Sequence, residues 1–206
     1  MVNKAEPPLV PTQEKILRSA REIFMAKGMD GARMQEIADH AGINKALLHY
    51  YFRNKESLFH AVFRQAILEL LPALTEVFRS NRPLLEKIPD FFSLHIGFIQ
   101  ANPMIPHFII SEVTRNPDMI LKGFQAINQE GLFEKFAKDV HASVLNGEIK
   151  PIDPVQLILN LISLSVFPFI AKPLLMKLFG MEKNQFEELL EERKTQVTKF
   201  VINALK

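Results

Sequence analysis

Apolar residues recur at intervals of three and four along nearly the whole chain, and no segment shows the strict alternation that a half-buried strand requires. That single feature predicts an all-α protein. The eight glycines among 206 residues also leave little material for the hairpin turns of an all-β fold. The chain length allows one or two domains at about 100–200 residues each. A hydrophobic fraction of 48% is enough for a sizeable core and argues against intrinsic disorder. There is no cysteine, which excludes a disulfide scaffold, a thiolate metal site and a cysteine nucleophile, and suits a reducing, cytoplasmic setting. The formal net charge of +2 is carried by the first 59 residues, a weak pointer to a nucleic-acid face there.

The helical pattern is punctuated by capping residues, glycines and prolines. A first helix is predicted over 12–27, with Thr12 as N-cap, a stripe of Ile16, Leu17, Ala20, Ile23 and Phe24, and Gly28 at its end. Two short helices follow at about 34–40 and 45–51, joined through Gly42 and with Asn44 capping the second. Asn54 can cap a long helix starting near Lys55, which Pro72 should kink or interrupt. Further helices are predicted at 84–101, 104–114, 117–145, 154–179 and 183–205. Asp153, with Gln156 three residues on, has the form of a capping box.

Two short helices around a glycine-containing turn, behind a longer one, make a helix-turn-helix arrangement. Ile37, Ala38, Ile43, Leu48 and Phe52 are placed to form its small core, and Ala38 and Gly42 allow close approach. On the third helix Lys45 and His49 are four apart, as are Ala46 and Tyr50, so the pairs occupy adjoining outward strips. A short helix that starts with small, polar and cationic residues suits the DNA major groove. Lys55, at the start of the next helix, is placed to meet phosphate.

From about Thr12 to Phe59 the sequence resembles the TetR-type (TetR/AcrR-like) transcriptional regulators. The resemblance is carried by Ile37-Ala38, Ala41-Gly42-Ile43-Asn44-Lys45, Leu48-His49-Tyr50-Tyr51-Phe52, Asn54-Lys55-Glu56 and Leu58-Phe59, all in one register. It implies a flexible tail over 1–10, a DNA-binding domain over 11–59 whose linking helix continues to about 71, and an effector-binding and dimerisation domain over 60–206. The implied architecture is a three-helix helix-turn-helix domain followed by an antiparallel helical bundle, with a homodimer formed through the last two helices. The implied partners are a palindromic double-stranded DNA operator, a second copy of the chain and a small effector; no cofactor or metal is expected.

Carried over by position, Arg33 and Gln35 match the phosphate- and base-facing start of the second helix. Asn44, Lys45, Ala46 and Leu47 match the leading turn of the recognition helix, His49 and Tyr50 its outer face, and Lys55 a phosphate-binding lysine. Three departures from the family pattern stand out. Arg33 replaces a frequent Thr or Ser, leaving the second helix without that cap. Leu47 replaces a frequent Thr, exchanging a hydroxyl for apolar contact with a thymine methyl. His49 replaces a frequent Tyr.

Family members commonly enclose a ligand between the central helices. His95, His107, Phe91, Phe98, Phe108, Phe124 and Phe167 are the candidates for lining such a pocket, although the same residues suit a closed core. The apolar bias favours a hydrophobic or aromatic effector. Leu161, Leu164, Phe186, Leu190, Val197, Phe200 and Val201 form stripes on the last two long helices that suit either the subunit core or a dimer interface. The expected function is therefore a repressor released from its operator by a small hydrophobic ligand. The alternative is a DNA-binding dimer without an effector, constitutive or controlled by a protein partner. The six histidines are scattered and no metalloprotease, phosphate-loop or nucleophile-elbow motif occurs, so enzyme activity is not expected. The first ten residues lack the apolar run of a secretory signal. The uncharged stretch from Pro154 to Ala171 is near the ~17-residue minimum for a membrane span. Its Gln156, Asn160, Ser163, Ser165 and Pro168 favour a buried helix instead, and no membrane association is expected.

Overall fold

The computed structural model describes residues 11–115, 117–118 and 131–206. They form α1 (Pro11–Gly31), α2 (Met34–His40), α3 (Lys45–Tyr51), α4 (Lys55–Arg79), α5 (Leu84–Ala101), α6 (Ile105–Arg115), α7 (Leu132–Leu145), α8 (Pro154–Ile170), α9 (Lys172–Phe179) and α10 (Lys183–Leu205). No strand occurs among the described residues. The expected tail over 1–10 and the first part of the helix expected over 117–145 lie outside them. The chain divides into two compact units, Met1–Ile67 and Leu68–Lys206.

In the first unit the apolar stripe of α1 closes over α2, α3 and the start of α4. Ile16, Leu17, Ala20, Phe24, Ile37, Ala38, Leu48, Phe52 and Leu58 are buried, whereas Ile43 is only half-buried. Phe59 joins the cluster edge-on to Phe24, with ring centroids 4.9 Å apart. Helix α1 starts at Pro11, one residue before the expected Thr12 cap. Gly28, at φ 69° and ψ 175°, breaks its helical path, and a further turn carries it to Gly31.

The second unit is built around α5, which packs on α8 and α10, with α7 against α5 and α8. Phe91, Phe92, Ile96, Ile99, Phe136, Val140, Leu157, Leu161, Phe186, Leu190, Val197 and Val201 make up much of its core. Each such burial contributes about 1.5–3 kcal/mol. One charged side chain lies within it. Lys87 is 1% exposed, donating to the Phe78 carbonyl at 3.1 Å and to Asp139 Oδ2 at 2.6 Å.

Prolines act differently from the sequence expectation at two places. Pro72 lies inside α4, which continues through it as one helix. The helix expected over 154–179 is two helices, α8 and α9, bent by 67°. Pro173 stands in the first turn of α9, where its missing N–H costs nothing and where continuation from α8 is disfavoured. Pro168, inside α8, cannot donate to the Leu164 carbonyl one turn back; Arg193 Nε of α10 donates to that oxygen at 2.9 Å instead. Among the described residues no single helix is long and apolar enough to cross a membrane; only the bent α8–α9 pair passes that test jointly.

Candidate nucleic-acid interface

The interface candidates lie on α2, α3 and the turns around them, all in the first unit. Helix α2 ends in a tight reversal. The Gly42 N–H donates to Asp39 O at 3.0 Å and the Ile43 N–H to Ala38 O at 3.0 Å, the paired bonds of a Schellman motif. Gly42 adopts φ +60°, a left-handed conformation that glycine takes without the strain a Cβ would bring; the nearest atom to such a Cβ is the end of the Lys15 side chain, at 3.3 Å. Asn44 then caps α3, its Oδ1 accepting the Leu47 N–H at 2.7 Å. Asn54 caps α4, accepting the Ser57 N–H at 2.7 Å while its own N–H donates to Ser57 Oγ at 3.3 Å.

These turns fix which side chains face solvent. Lys45, Ala46, His49 and Tyr50 are exposed along α3, Tyr50 at 81%, while Leu48 is fully buried and Leu47 half-buried. Arg33 and Gln35 are exposed at the start of α2. Arg33 is extended and makes no side-chain cap, as its replacement of Thr or Ser implied. Gln35 Nε2 donates to Asp39 Oδ1 at 2.8 Å, which holds its amide along α2.

Two side chains have intramolecular tasks that spacing did not reveal. His49 Nδ1 lies 3.1 Å from the Arg53 carbonyl. A carbonyl only accepts, so Nδ1 carries the proton and a neutral His49 leaves Nε2 as an acceptor. Lys55 Nζ donates to the Ala32 carbonyl at 3.1 Å and the Asp30 carbonyl at 3.4 Å. It therefore clamps the start of α4 to the α1–α2 connection and retains one of its three donors. Arg53 is a further exposed cation beside α3 that the sequence reading passed over; its place directly before the Asn54 cap was the available signal.

In the second unit the candidate pocket residues do not form one set. Phe91 is 3% exposed and belongs to the core, with Phe98 packed on it. His107 is exposed on α6, and Phe167 is 58% exposed on α8; neither faces an interior. The Phe108 side chain and Phe124 lie outside the described residues. His95 is partly buried, stacked on Phe91 at 5.1 Å, with Nδ1 2.8 Å from Ser165 Oγ. Desolvation lowers its pKa to about 4, so the ring is uncharged near neutrality. No group of three or more His, Asp or Glu able to hold a metal occurs among the described residues.

The dimer candidates need correction. Leu161, Phe186, Leu190, Val197 and Val201 are each at most 5% exposed and fill the core of their own subunit. Leu164 is partly buried against the same core. Of the seven, only Phe200 is exposed, at 65%. A helical stripe identifies a buried face but not whose surface buries it. Outward apolar residues on these helices include Val155, Leu159, Ile162 and Phe167 on α8 and Leu174, Leu178 and Phe179 on α9.

The first unit is thus a helix-turn-helix DNA-binding domain with an exposed, capped recognition helix, attached to a helical second unit. Residues 16–62 match the family of bacterial regulatory proteins of the TetR type. The HTH-type transcriptional regulator RutR of Escherichia coli O157:H7 is 30% identical over 146 residues, 71% of this chain and 68% of the relative. The HTH-type transcriptional repressor NicS of Pseudomonas putida is 32% identical over 95 residues, 43% of this chain and 45% of the relative. A TetR regulator from Haloarcula marismortui shares the fold at TM-score 0.67 and 17% identity, covering 94% of this chain and 97% of its own. A TetR/AcrR-family regulator from Thermobifida fusca does so at 0.65 and 18%, covering 90% and 96%. The chain belongs to the TetR family. It is a DNA-binding transcriptional regulator, and its relatives are regulators rather than enzymes.

Proposed function

We propose that this regulator is a repressor which binds a palindromic operator as a homodimer in the cytoplasm and is released by a small, mainly apolar ligand held in its second unit. The observation that carries the reading is the exposed row Lys45, Ala46, His49 and Tyr50 on a helix whose ends are pinned by Asn44 and by the His49–Arg53 bond. A recognition helix fixed in advance loses little backbone entropy on entering a groove. Lys45 and Tyr50 contact base edges, Leu47 offers apolar contact to a thymine methyl, and Arg33, Gln35, Arg53 and the remaining donor of Lys55 position the duplex through phosphates. The repressor sense is supported by the relative NicS, described as a repressor.

In the dimer, Val155, Leu159 and Ile162 of α8 and Phe200 of α10 face the second copy, since these apolar groups are 39–65% exposed in one chain. Two recognition helices in successive major grooves stand about 34–36 Å apart. A ligand that prefers another dimer arrangement lowers operator affinity only by its differential affinity for the two arrangements. The filled packing around Phe91 favours a second reading, a DNA-binding dimer without an effector.

The test is binding to the DNA upstream of its own gene against a scrambled duplex across a salt series. Tighter binding to the former, weakened by Lys45→Ala and Tyr50→Ala, supports a specific operator. Equal affinity for both duplexes, unchanged by either substitution, would sink the assignment of α3.

A further inference from the structure

His49 replaces a tyrosine frequent in the family, and an imidazole differs from a phenol in what it offers DNA. A tyrosine hydroxyl both donates and accepts. A neutral imidazole has one nitrogen for each task, and here the donor is spent inside the protein, since Nδ1 lies 3.1 Å from the Arg53 carbonyl. That carbonyl is fixed in direction. It shares a planar peptide with the Asn54 N–H, which donates to Ser57 Oγ at 3.3 Å. The residues on either side are held as well: Phe52 is buried, and Asn54 Oδ1 accepts the Ser57 N–H at 2.7 Å. The proton therefore sits on Nδ1, and Nε2, on an exposed ring, presents a lone pair. Lys45, one turn earlier on the same strip, is also exposed and only donates. The strip thus offers DNA a donor and, about 6 Å further along α3, an acceptor.

We infer that His49 Nε2 is a specificity-determining group which accepts a hydrogen bond from an exocyclic amine in the major groove, the N6 of an adenine or the N4 of a cytosine. The inference rests on the reading of α3 given under Proposed function. Of the base edges in that groove only these two amines donate; guanine N7 and O6 and thymine O4 only accept. A guanine or thymine facing Nε2 sets two acceptors against each other in a desolvated contact, which costs more than the missing bond alone. A phosphate oxygen also only accepts, so this nitrogen gains nothing from the DNA backbone and serves base recognition alone, unlike the cations Lys45 and Arg53. Its preference is the opposite of that of a cationic side chain, which seeks guanine.

The experiment selects binding sequences for the full-length protein, at neutral pH, from a pool of duplexes with a randomised core, and compares the parent with His49→Ala. The parent is expected to favour adenine or cytosine about tenfold over guanine and thymine at one position. His49→Ala should lose the preference at that position alone, with circular dichroism unchanged, and His49→Lys should turn it to guanine. The selected duplex is then made with purine in place of that adenine, or 2-pyrimidinone in place of that cytosine, which deletes the amine and leaves the protein untouched. The parent should bind the altered duplex about fivefold more weakly, the worth of one net hydrogen bond, while His49→Ala binds both duplexes equally. Side-chain nitrogen NMR of the free protein should show Nδ1–H and a bare Nε2. An Nε2–H ring, a preference for guanine or thymine at that position, or an amine deletion that costs parent and His49→Ala alike overturns the role of His49. A specific sequence selected identically by parent and His49→Ala also overturns it and leaves α3 as the recognition helix. Selection of no sequence by either protein overturns the reading of α3 itself, and the assignment of His49 with it.

Discussion

Replacing Lys87 by Met tests how the second unit tolerates a charge in its core. The side chains are similar in length, so the substitution removes the ammonium with little change in volume. It strips Asp139 Oδ2 of a partner at 2.6 Å and the Phe78 carbonyl of a donor at 3.1 Å. Breaking a buried pair costs about 3–5 kcal/mol. Asp139 is 18% exposed and retains Lys135 at 2.5 Å on Oδ1, which places the cost at the low end, about 3 kcal/mol. For a chain of this size each kcal/mol moves Tm by about 2–4 °C, so Lys87→Met should lower it by about 6–12 °C. Asp139→Leu should cost more, about 4–5 kcal/mol, because the charge it strands is only 1% exposed. Lys87→Met combined with Asp139→Leu removes both charges and should recover to within about 1 kcal/mol of the parent. Urea and thermal denaturation followed by circular dichroism supply the cycle. A double variant as unstable as Asp139→Leu alone would refute the reasoning, as would single variants that each lose less than about 1 kcal/mol.

Asn44→Ala removes the acceptor for the Leu47 N–H and should cost about 0.5–2 kcal/mol, with a matching loss of affinity for upstream DNA. Denaturation and anisotropy on the same samples check both effects. Gly42→Ala forces a side chain into φ +60° beside Lys15 and should destabilise the first unit by about 1–2 kcal/mol, read from its urea midpoint. Leu159→Asp with Phe200→Asp should convert the dimer to monomer by light scattering while leaving helicity intact; a persistent dimer would reject the proposed face. His95, lowered to about 4, is neutral in the folded protein where the unfolded chain already binds a proton. Its contribution is therefore complete above about pH 6.5 and declines as pH falls toward 4. Between pH 7 and 5 the parent should lose about 2 kcal/mol more than His95→Phe, and parallel pH profiles for the two proteins would contradict this.

Helix positions were largely legible because their signals are local. A cap such as Asn44 or Asp153 bonds the N–H three residues on, whatever the rest of the chain does. The pattern from Ile37 to Phe59 likewise specified the turn, the short helices and the outward row of α3. What the sequence left undetermined depends on partners distant along the chain. Lys87 reads as an ordinary helix-surface lysine until Asp139, 52 residues away, is brought to it. Lys55 and His49 read as free contact groups until the carbonyls of Ala32 and Arg53 reach them. Nothing local shows that the Leu164 carbonyl, left without a donor by Pro168, is met by Arg193, 29 residues away. The stripes of α8 and α10 were visible as stripes, but periodicity records only that a face is covered. The sequence by itself determined where helices begin, end and turn apolar, because those are properties of neighbours three and four residues apart. Only the tertiary structure decided that Phe186 and Leu190 face their own core while Leu159 and Phe200 do not. That outcome depends on how several helices divide one limited interior among them.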